Sequence, residues 1–292
     1  MRDRASRAWT RSAGHLIGAA IALAALPTAA SAQYSAPALT HEAIGEKYHV
    51  EVSGTLWNPS LFGVVSSEQF GITGSNIDFT NDLGFTRTRF KDLRIVLRPG
   101  TKQKFRVEYT PVQYVSDTIL NRSVVFNGIN YPVSIPIQAT FGWTVWRFGY
   151  EYDFFYRKRG YIGMFLEARY TTLRTVLNAP DRHEFSTTRV PLPAVGVAGR
   201  AYVAPNVAIN FEVSGFCALQ SQTSSIGVKC REEATAKNQV AYFDWNVYGT
   251  FNFTENVGAQ IGWRRTTTLV DIKADKGNLK LQGIWFGAAL RY

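Results

Sequence analysis

Ile284, Phe286, Ala288, Leu290 and Tyr292 place an apolar side chain at every second position, up to an aromatic last residue. Side chains of a β-strand alternate between its two faces, so this period makes a strand that is apolar on one face only. The same period recurs through most of the chain. It yields an all-β protein with no stretch after Gln33 that approaches the roughly 20 consecutive apolar residues of a membrane helix, although 46% of the 292 residues are hydrophobic and 14% aromatic.

The alternation reads as successive strands. Tyr48, Val50, Val52 and Leu56 share a face opposite His49, Glu51, Ser53 and Thr55 over residues 48–57. Leu93, Ile95 and Leu97 oppose Asp92, Arg94 and Arg98; after Pro99-Gly100-Thr101-Lys102, Phe105, Val107 and Tyr109 oppose Lys104, Arg106 and Glu108. Residues 139–153 form a fourth strand of mixed phase. Phe141, Trp143 and Val145 lie on one parity, and Trp146, Phe148, Tyr150 and Tyr152 on the other. A β-bulge near 145–147 reconciles them, since one extra residue exchanges the faces; the alternative is that some aromatics point inward.

Further strands follow over 162–170, 188–203, 209–214, 241–253 and 257–264, and the C-terminal strand makes ten. The expected fold is an antiparallel up-and-down transmembrane β-barrel of about ten strands, with eight or twelve as open alternatives, apolar outside and polar within. A soluble β-sandwich also alternates. Abundant outward Trp and Tyr, with Tyr292 at the end, favour the barrel, and Tyr48, Tyr109, Tyr150, Tyr152, Tyr170, Trp263 and Tyr292 are candidates for interfacial girdles.

Connection lengths alternate as well. Turns near 99–102, 154–160, 204–206 and 254–256 are short, whereas 58–89, 113–138, 173–187, 217–237 and 270–278 read as longer external loops. That asymmetry is typical of outer-membrane barrels. Within 113–138, Asn127-Gly128 between two apolar triplets has the chemistry of a two-residue hairpin turn.

Residues 1–32 read as a secretory signal peptide: Arg2, Arg4, Arg7 and Arg11 precede the apolar run Leu16–Leu26, and Ala30-Ser31-Ala32 supplies a small-residue cleavage site. The barrel then occupies 33–292. Without the four arginines and one aspartate of the leader, the net charge falls from +10 to +7. A basic surface in this setting suits outer-membrane lipid and lipopolysaccharide phosphates, and no nucleic-acid module is recognisable. Cys217 and Cys230 are the only cysteines, and an exported chain meets an oxidising compartment, so they are expected to form a disulfide.

The inward positions collect Arg94, Arg98, Lys104, Arg106, Arg147, Arg169, Arg200, Arg264 and Arg291 against Glu51, Asp92, Glu108, Glu151, Glu167, Glu212 and Asp244. Near-balance of sign fits cross-strand ion pairs in a narrow lumen. The leading expectation is a closed, non-enzymatic surface or envelope protein with interacting external loops. A small-solute, porin-like channel is the alternative, and a lipid-A-modifying or proteolytic barrel enzyme the third reading.

His49 and the His183-Glu184 pair, with Ser186 nearby, are the acid–base candidates, but a serine nucleophile needs a base within hydrogen-bond reach. No catalytic residue is assigned. Asp78, Asn81 and Asp82 lack the ligand ladder of a calcium loop and suit turn capping. No metal or cofactor is expected.

Ile77-Asp78-Phe79-Thr80-Asn81-Asp82-Leu83-Gly84-Phe85, Phe126-Asn127-Gly128-Ile129-Asn130-Tyr131 and Arg147-Phe148-Gly149-Tyr150-Glu151-Tyr152-Asp153 resemble a family of small outer-membrane β-barrel proteins of Gram-negative bacteria. The resemblance implies architecture and location, and no substrate or reaction. The C-terminal series Ile284, Phe286, Leu290 and Tyr292 also resembles the signal read by the barrel-assembly machinery.

Overall fold

A computed structural model describes residues 43–67, 74–219, 239–272 and 275–292. Ten long strands close into an antiparallel barrel: β1 (Val50–Ser67), β3 (Phe90–Gly100), β4 (Gln103–Ile119), β7 (Pro136–Arg157), β8 (Gly160–Ala179), β9 (Arg182–Ala204), β10 (Val207–Leu219), β11 (Gln239–Asn252), β12 (Val257–Ile272) and β13 (Asp275–Arg291). Each pairs with the next, and β13 closes on β1 from Glu51↔Arg291 to Ser67↔Asp275. Three short strands decorate this wall: β2 (Ile77–Asp78), β5 (Val124–Phe126) and β6 (Ile129–Tyr131).

The faces follow the sequence alternation. Leu56, Leu97, Phe105, Phe148, Leu166, Ile261 and Phe286 are exposed on the outer surface, while their neighbours in the pleat face the bore, buried or half-buried. Tyr150, Tyr152, Tyr170, Trp263 and Tyr292 also lie on the outer surface. Tyr48 does not: it is 8% exposed, because the chain turns beneath the barrel before β1 begins at Val50.

No bulge interrupts β7 at 145–147. Its pairing with β4 is continuous, and with β8 it shifts only between Tyr152 and Phe155. The mixed phase follows the alternative reading, in which some aromatics point inward. Phe141, Trp143 and Val145 face inward on the same parity as Arg147, Glu151 and Asp153, so the interior changes from apolar to ionic along one regular strand.

Several expected loops are strand. β1 continues to Ser67, and β8 and β9 pair up to Ala179↔Arg182, leaving Pro180 and Asp181 as a tight turn where a loop over 173–187 was expected. Here both faces carry polar residues, which erases the alternation without weakening the backbone ladder. The Asn127-Gly128 turn is present, with φ of 52° and 80°, the positive pair that a type I′ turn requires. It joins β5 to β6 in a separate two-stranded sheet, so the wall remains ten-stranded.

One section of wall is unusual. β3 pairs with β1 only as far as Trp57↔Phe90, although β1 and β4 both continue well beyond that level. The space between them is filled by residues 74–89. These pair with β1 through Val64↔Asp78 and Val65↔Ile77, then make a compact turn over 78–84 closed by Asp78 O, which accepts from Asp82 N at 3.0 Å.

Candidate functional site: a bore sealed at three levels

The first seal lies at the end with the short turns, formed by residues 43–49. Ile44 N donates to Pro205 O at 2.8 Å, and Asn252 Nδ2 to Ile44 O at 2.6 Å, tying the segment to two different turns. Gly45, at φ +78°, donates to Glu255 Oε2. A Cβ there would lie 2.7 Å from Arg291 Nη1. The next residue, Glu46, projects into the bore and accepts from Arg98, from Arg200 at 3.2 Å and from the Tyr202 hydroxyl at 3.1 Å. Tyr48 packs against the guanidiniums of Arg98 and Arg291.

The second seal is ionic. Some pairs join strand neighbours directly opposite in the ladder: Arg94–Glu108 at 2.9 Å, Lys104–Glu151 at 2.8 Å and Arg291–Glu51 at 2.5 Å. Others cross the bore between strands that share no ladder. Arg94 and Arg106 both hold Glu212 at 2.7 Å, Arg147 reaches Asp244 at 2.9 Å, and Arg264 reaches Glu108 at 2.9 Å. Arg264 also contacts Asp92 and Asp244. Arg169 pairs with Glu167 and lies 3.7 Å from the centre of the Tyr242 ring. Arg200 donates to Asn210.

Every lumen charge read from the pleat is thus placed in the bore. Two carboxylates escaped that reading: Asp153, 2.9 Å from Lys104, and Glu46. Asp153 lies at a strand end near the register shift, and Glu46 lies outside any strand. Amid the network, Asp92, Arg94, Glu108 and Arg264 help to line a cavity of about 30 Å³, room for about one water molecule.

The third seal is apolar and fills the opposite half. Phe79, Leu83 and Phe85, from the inserted segment 74–89, pack with Phe90, Tyr114, Phe141, Trp143, Leu281 and Trp285 from the wall. Phe79 and Phe141 have ring centroids 4.7 Å apart. Trp57 borders this layer and the ionic one, with Arg264 5.2 Å from its ring. The β5–β6 hairpin covers the top: Val124, Phe126 and Tyr131 are fully buried, and Tyr131 donates to Leu177 O at 3.2 Å. Burial pushes the Tyr131 phenol up to about 12.

Arg122 fastens the cover. Its Nε lies 2.9 Å from Asp82 Oδ1 and its Nη2 2.5 Å from Asp82 Oδ2, a two-pronged contact. Burial works to raise the Asp82 carboxyl. The Arg122 contact and the Asp78 backbone N–H outweigh it and hold that carboxyl below its ordinary value. Asp78 Oδ1 accepts from the backbone N–H of Thr80 at 2.9 Å and of Asn81 at 2.7 Å, capping the turn. The acidic cluster is occupied by structural bonds.

The acid–base candidates do not converge. His49 is exposed at the barrel rim, not in the lumen, with Nδ1 3.3 Å from Arg98 O. His183 points outward beside Asn178, whereas Glu184, on the opposite face, accepts from Asn127 Nδ2 at 2.8 Å. Adjacent strand residues diverge, so His183 does not face Ser186. Cys230 lies outside the described residues, and with it the disulfide to Cys217.

No protein-family model and no curated protein matches the sequence. Among solved structures, the outer-membrane protease OmpT from Escherichia coli superposes with a TM-score of 0.52 at 7% identity, covering 87% of this chain and 100% of that one. Ail, the attachment invasion locus protein of Yersinia pestis, solved with a heparin analogue, gives 0.35 at 10% identity, covering 82% and 99%. Neisserial surface protein A gives 0.33 at 12% identity, covering 84% and 97%. The first likeness is one of fold.

Proposed function

Because the chain has the fold of the small outer-membrane β-barrel proteins of Gram-negative bacteria, we propose that it is a non-conducting protein of that membrane, acting without catalysis through its externally projecting hairpins. The observation that carries this reading is the serial closure of the bore by Glu46, by ion pairs such as Arg94–Glu212 and by the Phe79–Phe141 cluster. A barrel of this size lies near the filled end of the range, far from the 16–18 strands of water-filled porins. Residues 1–32 would be removed on export, leaving a chain that begins near Gln33. The face bearing Ile284, Phe286, Leu290 and Tyr292 is the proposed contact for the assembly machinery, and lipopolysaccharide the proposed neighbour.

The mouth cover is the proposed working surface, because it is rigidly built from a capped turn and an Asn-Gly hairpin where the bore needs only closing. Two experiments test the reading. Purified, refolded protein in planar bilayers is expected to give no conductance steps above the lipid background; regular steps would overturn it. Replacing residues 123–132 with a Gly-Ser linker is expected to abolish a binding or envelope phenotype while the barrel stays folded, and an unchanged phenotype counts against the surface role.

A further inference from the structure

Going along each long strand away from the short-turn end, the first charged residue on the outer face is Lys91 on β3, Arg174 on β8, Arg189 on β9, Arg265 on β12 and Lys280 on β13, with Asp117 on β4 as the acidic exception among the described residues. Below that level the outer face is apolar or uncharged, except for Arg157 at the short-turn end of β7. The charge is therefore sorted by sign at one edge of the apolar band.

The cations are densest beside the unusual section of wall. Lys91 pairs in the ladder with Leu56, and Arg87 and Arg89 precede it on the same parity, all exposed. Arg265 pairs with Gln282, which pairs with Ser60, and the Ser60 hydroxyl accepts from Arg87 Nε at 3.1 Å. Lys280 lies 5.3 Å from the Phe62 ring. Inside the bore, Arg94, Arg106, Arg147 and Arg264 each hold a carboxylate at 3.1 Å or less. Among the described residues, no carboxylate is within ion-pair distance of these five outer cations.

We propose that Arg87, Arg89 and Lys91, flanked by Arg265 and Lys280, bind phosphate groups on the headgroups of outer-leaflet glycolipid. Guanidinium forks suit phosphate oxygens, and each cation near an anionic membrane surface is attracted to it. The site is an open face with no enclosing pocket, continuous with Leu56, Leu93 and Phe62. A lipid satisfies both parts at once, acyl chains on the apolar band and phosphate on the cations, whereas a free anion gains only the second. Residues 86–89 belong to no ladder, so bound headgroups would also hold this part of the wall.

This inference rests on the outer-membrane reading. The test uses the full mature chain in detergent, with native mass spectrometry to follow bound bis-phosphorylated lipid A, dephosphorylated lipid A and inorganic phosphate. The wild type is expected to retain the phosphorylated form, and R87Q/R89Q/K91Q to retain it at least about tenfold less. K102Q/K158Q, altered at the short-turn end, is expected to behave as wild type. Folding is verified by the heat-dependent gel shift, and K91Q/R265Q replaces the triple variant if that fails to fold. Equal retention by the variants, equal binding of dephosphorylated lipid A, or complete displacement by millimolar inorganic phosphate overturns the site. A barrel that inserts into phosphatidylcholine bilayers yet ignores lipid A loses this site alone; failure to insert into any bilayer overturns the membrane reading itself.

Discussion

Arg94 on β3 and Glu212 on β10 meet at 2.7 Å although their strands lie on different sides of the barrel and share no ladder. Glu212 holds Arg106 at the same distance. Removing one partner of a buried pair leaves uncompensated charge, at a cost of about 3–5 kcal/mol. Glu212→Ala is therefore expected to destabilise the barrel by that order, read from urea unfolding in lipid vesicles. It is also expected to stay electrically silent in planar bilayers, since the apolar layer lies in series with the ionic one.

Phe141→Ala removes the ring that meets Phe79. Large-to-small changes of this kind in a packed core cost about 3–5 kcal/mol. Combined with Glu212→Ala in a barrel that still folds, it is expected to remain without conductance steps in planar bilayers, because residues 43–49 with Glu46 still close the short-turn end in series.

Acid is expected to loosen the mouth cover before the wall. The Asp82 carboxyl is held below its ordinary value chiefly by Arg122 acting against burial. A depressed carboxyl contributes stability that is complete above its unfolded value and is lost as pH falls through the lower, folded one. Amide exchange at residues 76–84 should therefore accelerate below about pH 4, after correction for the intrinsic pH dependence of exchange. In Asp82→Asn it should already be fast at neutral pH and lose that acid dependence.

Ile261 is exposed on the outer face, midway along its strand between the turn and Arg265. Ile261→Arg is expected to destabilise the membrane-inserted barrel by about 2–4 kcal/mol. Thr250, which faces inward and accepts from Asn210, provides the contrast. Thr250→Ser keeps that hydroxyl and should change stability by less than about 1 kcal/mol. Both are measured by unfolding from vesicles.

The wall was legible in the sequence wherever one face is apolar and the other charged, as in Leu93–Arg98 or Phe105–Tyr109. Period two then fixes strand, face and register parity together. Legibility failed where interior and exterior have similar chemistry. In β7, Phe141 and Trp143 point into an apolar interior while Trp146 and Phe148 point out, and single-residue hydropathy does not distinguish these environments. Beyond the apolar band β8 and β9 mix polar and apolar residues on both faces, as with Arg174, Thr175 and Asn178 beside Leu173, Val176 and Leu177, so strand looked like loop. Glu46 and Asp82 owe their roles to partners 52 and 40 residues away, which no local pattern encodes. The Asn127-Gly128 hairpin was readable because its turn needs positive φ at consecutive positions, a requirement met within four residues.

The segment that stops the bore with Phe79 and Phe85 is the same chain that bridges β1 and β4 where β3 is missing. Stopper and masonry are one piece. Any motion that withdraws it also parts a seam in the flank of the cylinder beyond the level of Lys91, so a passage through this protein would open sideways past that ring of cations as well as along its axis.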